Sequence, residues 1–407
     1  MRIIVAPDKF KGSVTAHEAA EHLAAGIRAA LPDADVTALP VADGGEGTLD
    51  AALGAGFERR ELTVTGPVNR PVDAAWARRG HEAVVELALA SGLAALPHRD
   101  GRPVLAARIA TSRGTGELIA AALDAGCTRV VLGVGGSATT DGGAGMLTAL
   151  GLRLLDRHGR ALPDGGAALA DLHTVDASGL HPRVADTEFV LAADVDNPLT
   201  GPRGAAAVFG PQKGATEEDV RELDAALGTF RDRLAGALGE PARKAASAPG
   251  AGAAGGTGYA ALAVLGATRR PGIDVVLDLV DLDTAVAGAD LLVTGEGSLD
   301  EQSLGGKTPI GVLRVGRRHG VPVVAVCGRT TLTAEVLRAT GFAAVHELRS
   351  LVPDDDTSLR EAPRLLREVG HRLVWDREDP RTPPVPCTGH ARPGTTGAHR
   401  HRKDPTP

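Results

Sequence analysis

Five segments of this chain combine glycine with charge in ways that could hold phosphate. Pro7-Asp8-Lys9-Phe10-Lys11-Gly12-Ser13 follows an apolar run, so two ammonium groups and a hydroxyl stand at a strand end, where either a carboxylate or a phosphate could bind. A solvated turn with Ser13 capping the next helix is the plainer alternative. Ala42-Asp43-Gly44-Gly45-Glu46-Gly47-Thr48 places carboxylates around three glycines that permit close backbone approach. Gly133-Val134-Gly135-Gly136-Ser137-Ala138-Thr139-Thr140-Asp141-Gly142-Gly143 offers amides and hydroxyls, the makings of an anion cradle. In Asp194-Val195-Asp196-Asn197-Pro198, alternating acids at a strand end suit Mg2+, which takes a few carboxylates together with waters and phosphate oxygens. Asn197-Pro198 is also ordinary turn chemistry. Thr294-Gly295-Glu296-Gly297 continues to Gly305-Gly306-Lys307-Thr308, delivering a lysine to a helix start.

Two motif matches fail on inspection. Gly305-Gly306-Lys307-Thr308 looks like the end of a P-loop, but Glu301 stands where that motif needs glycine. Gly133, Gly135 and Ala138, with Asp156 beyond, fit a relaxed dinucleotide fingerprint. Gly142, Gly143 and Gly145 keep the chain in loop where that fold would already be helical, which weakens the case for an NAD-linked oxidoreductase.

Lysine is scarce. Of 44 basic residues six are Lys, and Lys9, Lys11, Lys213 and Lys307 fall in or beside these segments, Lys213 within Gly210-Pro211-Gln212-Lys213-Gly214. Lysine is a compact point charge suited to a phosphate or carboxylate oxygen. Cations and amides for phosphates, carboxylates for Mg2+ and one base near an acceptor hydroxyl make up the inventory of phosphoryl transfer.

The elements that must position these groups alternate. Apolar runs at 3–6, 36–41, 291–294 and 321–326 read as strands. Thr15 and Glu18 have capping-box spacing before a helix lined by Ala19, Leu23, Ile27 and Leu31. Thr308-Pro309 opens another helix. This alternation indicates an α/β fold with a doubly wound parallel sheet. Between its halves, strands at 84–87, 130–134, 152–155 and 189–192, a turn at Arg157-His158-Gly159 and a helix capped by Thr216 form a second, mixed α/β domain. Residues 249–258, rich in Gly and Ala, read as a loop or close-approach segment. We expect one discontinuous domain from 1–60 and 280–375, an inserted domain over 61–279 with a cleft between them, and a disordered tail over 376–407.

The totals exclude several classes. A net charge of −7 and 2% aromatic residues argue against nucleic acid and anionic membranes as partners. Apolar runs fall short of the ~20 residues that cross a bilayer. Cys127, Cys327 and Cys387 are too few and scattered for a disulfide framework, and a cytoplasmic location is expected.

Taken together, these segments and Ala6 through Ser13, Val41 through Thr48, Gly135 through Met146, Asp194 through Pro202, Val208 through Ala215, 249–256 and 294–309 resemble the bacterial class I glycerate kinases, over roughly residues 1 to 370. Thr140, where asparagine is commoner, is the one mild departure. The resemblance implies a flavodoxin-like domain carrying the inserted one, and transfer of the ATP γ-phosphate to D-glycerate with Mg2+, giving 2-phosphoglycerate or, as assigned to some relatives, the 3-phosphate. On that basis Asp194, Lys9 and Asp43 are the expected catalytic groups. Asp8, Lys11, Ser13, Glu46 and Asn197 are expected to bind glycerate, and Gly135, Gly136, Ser137, Thr139, Asp141, Lys213 and Lys307 the nucleotide phosphates. Asp194, Asp196 and Glu296 are expected to hold Mg2+, in a monomer or homodimer. A glycerate-binding protein without turnover is the alternative, although Asp43, Asp194 and Glu296 are all retained.

Overall fold

Ile3, Ile4, Val5 and Ala6 are all fully buried in β1 (Arg2–Pro7), as a central parallel strand covered on both faces requires. The computed structural model describes residues 1–375, and the tail expected over 376–407 lies outside them. The remaining strands of the two main sheets are β2 (Asp35–Ala38), β3 (Glu58–Thr65), β4 (Pro71–Arg79), β5 (Glu82–Glu86), β6 (Arg129–Gly133), β7 (Glu188–Ala192), β8 (Thr268–Arg270), β9 (Leu291–Leu299), β10 (Val323–Thr330) and β11 (Ala344–Glu347).

The first sheet is wholly parallel, in the order β11-β10-β9-β1-β2. Counted in chain order within that sheet, this is 2-1-3-4-5, the flavodoxin-like arrangement. Its strand order reverses between β1 and β9, so the ligand crevice of such a sheet belongs at their carboxyl ends. The second sheet runs β8-β7-β6-β5-β4-β3, parallel from β5 to β8 and antiparallel at β3 and β4. All strands of the first sheet lie within 2–38 and 291–347, and those of the second within 58–270.

Local sequence explains the helices. Ala16–Ala30 starts on the capping box of Thr15 and Glu18, and Glu217–Leu238 on that of Thr216 and Asp219. Thr308–His319 opens with Pro309, which has no amide to leave unpaired. Two helices lie between the sheets and serve both. From Gly272–Leu279, Ile273 and Val276 enter the core under β1 and β9, while Val275 and Leu279 pack against β5, β6 and β7. From Thr48–Gly54, Ala51 faces the first core and Leu49 and Ala52 the second. The sheets are thus joined at the base of the crevice.

Three local features differ from expectation. The hairpin β3–β4 is invisible to an apolar pattern because Glu58-Arg59-Arg60-Glu61 is a solvent-facing edge, where charge blocks unwanted pairing. The turn at 157–159, which hints at a hairpin, closes a short one in which Leu155 bridges Ala161 and the Leu162 amide bonds the Leu154 carbonyl at 2.9 Å, but it adds no strand of its own, and Arg153–Leu155 also pairs with Thr174–Asp176. The 249–258 segment is a loop only at first. Helix Ala253–Ala263 begins inside it, through left-handed Ala254, Gly255 and Gly256. Gly255 is a true close approach, since a Cβ there would lie 1.9 Å from the Thr139 carbonyl oxygen. No helix of the described residues is long and apolar enough to cross a membrane.

Candidate active site

At the switch point, Asp8 follows β1 and its amide donates to the Gly295 carbonyl of β9 at 2.8 Å. The Asp8 carboxylate is buried. One oxygen accepts from its neighbour Lys9 N at 2.6 Å and the other from Thr308 Oγ1 at 2.7 Å. Burial, and then the negative charge of Asp43, push its pKa up to about 6 against those two bonds. Glu296, on β9 beside it, is pushed up to about 7, mainly by burial; Ser303 and Lys307 oppose the rise and Asp8 adds to it. Its Oε1 is buried with no partner among the described residues.

Asp43 links this group to the second sheet. It lies near enough to Asp8 and Asp194 for its charge to raise both. Asp194, just beyond β7, opens to solvent on one side. Its Oδ1 accepts from the Gly272 amide at 2.8 Å. The protein packed around it raises its pKa first, then Asp43, while Arg269 and Lys307 pull it down. Asp8, Asp43, Asp194, Glu296 and Lys307 therefore meet at one crevice, although the chain spreads them over 300 positions.

The glycines around Asp43 serve loop-on-loop contact. A Cβ on Gly44 would sit 2.2 Å from Gly272 Cα, and one on Gly135 would sit 2.6 Å from Gly45 Cα. The 43–47 loop of the first sheet is thereby pressed against the 133–136 loop of the second. Among the described residues no backbone acceptor meets the amides of Gly135 and Gly136, and these remain available to an anion.

Other expected site residues sit differently. Lys9 Nζ donates to the Glu46 carbonyl at 2.6 Å and lies 3.7 Å from its exposed carboxylate. Lys11 is exposed. Ser13 Oγ donates to the Leu359 carbonyl at 2.6 Å. Asn197 Nδ2 bonds the Arg203 carbonyl at 2.8 Å, and Asp196 pairs with Arg269 at 2.8 Å. Ser137, Thr139, Asp141 and Lys213 are buried as a brace behind the glycine loop. Lys213 Nζ donates to Ser137 Oγ at 2.8 Å and to the Thr139 carbonyl at 2.6 Å, and burial pushes its pKa down to about 7. Asp141 accepts from Ser112 N and Oγ, Gly143 N and Gly145 N.

Two residues at the crevice lie outside the expected set. Thr308 is legible as a helix start but not as the partner of Asp8. Glu86 ends β5 with 2% exposure, and its pKa is pushed up to about 7, chiefly by burial. The one signal for it is an acid closing the apolar run Ala83-Val84-Val85.

Among the described residues no three His, Cys, Asp or Glu side chains form a ready set of metal ligands. The donors fit a cation that arrives with phosphate, because Mg2+ takes one or two protein carboxylates and completes its shell with phosphate oxygens and water. Carboxyls whose pKa values are raised first by burial and then by one another's charge, one with an orphaned buried oxygen, suit such a charge. The dinucleotide alternative gains no support, because Gly142 and Gly143 are left-handed and the helix starts only at Ala144.

Residues 3–376 match the family model described as the glycerate kinase family. The chain is 48% identical over 356 residues to the glycerate kinase of Bacillus subtilis (strain 168), covering 87% of this chain and 91% of that one. It is 42% identical over 366 residues to the glycerate 2-kinase of Escherichia coli (strain K12), covering 89% and 94%. A crystal structure from Salmonella typhimurium LT2, assigned as glycerate kinase 2, superposes with a TM-score of 0.79 at 40% identity, covering 93% of this chain and all of that one.

Proposed function

The chain belongs to the glycerate kinase family, and from that premise we propose that it transfers the γ-phosphate of ATP to the 2-hydroxyl of D-glycerate. The observation that carries this reading is the meeting of Asp8, Asp43, Asp194, Glu296 and Lys307 at the β1/β9 switch point, facing the glycine loop of the second sheet. Bound Mg-ATP supplies the phosphoryl group and the cation that offsets charge on its oxygens.

Lys9, anchored by Glu46, offers its ammonium to the glycerate carboxylate, and Asp8 and Asp43 accept from its hydroxyls. Asp194 keeps one oxygen on the Gly272 amide and takes the proton of the attacking hydroxyl on the other. Free amides of Gly135 and Gly136, with Lys307, hold the phosphates, while Lys213, Ser137, Thr139 and Asp141 keep that loop in shape from behind. Glu296 would hold Mg2+, joined by Asp194 if that carboxylate serves as cation ligand instead of base; Asp196, paired with Arg269, would first have to leave that partner. The reading takes 1–60 with 280–375 as one domain and 61–279 as the other, their approach closing the crevice and excluding water; the two separate sheets support the division, with β3 moving its first boundary back to about Glu58.

Phosphorus NMR of the product of ATP and D-glycerate tests the assignment. A phosphorus coupled to one carbon-bound proton identifies the 2-ester, and coupling to two identifies the 3-ester. Hydrolysis of ATP with no phosphoglycerate formed would overturn the reading.

A further inference from the structure

Glu86 lies on the second sheet but binds backbone that belongs to the first. It ends β5, in register with Gly133 of β6. Its Oε2 accepts from the Gly47 amide at 3.2 Å and the Leu49 amide at 3.1 Å, where the loop after β2 turns into helix Thr48–Gly54. Gly47 is left-handed there, with φ of 100°, so the loop reverses sharply at the point of contact. From the side of β1, Lys9 Nζ holds the Glu46 carbonyl at 2.6 Å. Residues 46–49 are gripped from both sheets, by an ammonium on one and a carboxylate on the other. A carboxylate closing the buried run Ala83-Val84-Val85 carries a desolvation cost that an apolar side chain would avoid. Its bonds to this loop, with a smaller contribution from the charge of Lys9, offset that cost.

We propose that Glu86 is a positioning residue for phosphoryl transfer, fixing the 43–47 loop, and with it Asp43, across the junction of the two sheets. This rests on the reading of the crevice given above. The grip depends on charge, since an ionised carboxylate accepts from amides roughly twice as strongly as a neutral acid does. Burial raises the pKa of Glu86 most; Asp50 raises it further, and Lys9 and the two amide bonds lower it, leaving it at about 7. The grip therefore tightens as pH rises through neutrality.

The test compares the full chain with Glu86→Gln and Glu86→Asp between pH 6 and 9. It reads kcat and KM for glycerate and for MgATP, and hydrogen exchange of the 43–52 segment, corrected for intrinsic rates. At pH 9 Glu86→Gln should lower kcat/KM for glycerate and speed exchange at Gly47 and Leu49, each about tenfold. The KM for MgATP should change less than about twofold. At pH 6 the gap between wild type and Gln variant should close, because both side chains are then neutral. The Asp variant, still ionisable, should keep a pH-dependent exchange rate at these amides, and it carries the test if the Gln variant does not fold. A gap constant across pH, or exchange untouched by the Gln variant, would overturn the proposal. Exchange needs no turnover, so a wild type that phosphorylates no glycerate would remove the functional reading and still leave Glu86 to be judged.

Discussion

Asp8 and Thr308 stand 300 positions apart and share a 2.7 Å hydrogen bond. It ties the loop after β1 to the first residue of helix Thr308–His319, across the strands where the sheet order reverses. The hydroxyl also stabilises the ionised form of a carboxylate that burial and Asp43 push the other way. Thr308→Val keeps the shape of the side chain and removes the donor. We expect it to cost about 1–3 kcal/mol in urea unfolding, the usual penalty for an unsatisfied buried polar group. The acid limb of kcat/KM should move to higher pH, because Asp8 will hold its proton longer. An unmoved limb would show that Asp8 need not be ionised in turnover.

Ligand-free stability should pass through a minimum near neutrality. Asp8, at about 6, and Glu86 and Glu296, at about 7, hold protons in the fold that the unfolded chain releases near 3.8 to 4.5. Their contribution falls as pH rises through that interval. Lys213, at about 7 against 10.5, is neutral in the fold where the unfolded chain still binds a proton, so its contribution climbs above pH 7. The half-buried acids Asp156, Asp176 and Asp219, each held down to about 2 by hydrogen bonds, act only in strong acid. Urea midpoints at pH 5, 7 and 9 check the curve, and a steady rise from 5 to 7 would contradict it. Asp8→Asn should gain up to about 3 kcal/mol at pH 8 while losing activity, as expected where a site stores unfavourable charge.

Neighbouring glycines should differ sharply in tolerance. A Cβ on Gly135 meets the Gly45 backbone at 2.6 Å, so Gly135→Ala must separate the two loops. A Cβ on Gly45 meets Gly135 Cα and Asp43 Oδ1 only at 3.3 Å, which small shifts relieve. We expect kcat/KM to fall about a hundredfold in Gly135→Ala, as misplacement by about 1 Å can cause, and less than about tenfold in Gly45→Ala. Steady-state kinetics on both variants decides it, and equal losses would mean that the contact does not set the geometry of the crevice.

What was legible in the sequence follows the range of the physics. Capping at Thr15–Glu18 and Thr216–Asp219, the start at Thr308-Pro309 and the buried run of β1 are local, and each is read directly from neighbouring residues. The resemblance supplied the flavodoxin-like arrangement and the roles. It could not tell a lysine facing a ligand from one bracing a loop, because both kinds lie in glycine-rich segments; Lys213 is buried against Ser137 and Thr139. Nor could it find Glu86, whose partners Gly47 and Leu49 lie in a loop of the other sheet. The charged edge β3 escaped because an apolar pattern cannot mark a strand that buries little.

Asp194 is where proton transfer and cation binding can be separated. Asp194→Asn keeps an oxygen for the Gly272 amide, so helix Gly272–Leu279 should stay seated and the melting temperature should hold within a few degrees. As general base, its loss should cut kcat by on the order of a hundred- to ten-thousandfold, with both KM values within a few-fold. As Mg2+ ligand, its loss should instead raise the Mg2+ concentration needed for half-maximal rate, and excess Mg2+ should restore most of kcat. A Mg2+ titration of the variant therefore assigns the role. A near-normal rate at ordinary Mg2+ would remove Asp194 from the mechanism and leave Asp43, whose charge reaches both Asp8 and Asp194, as the group to test next.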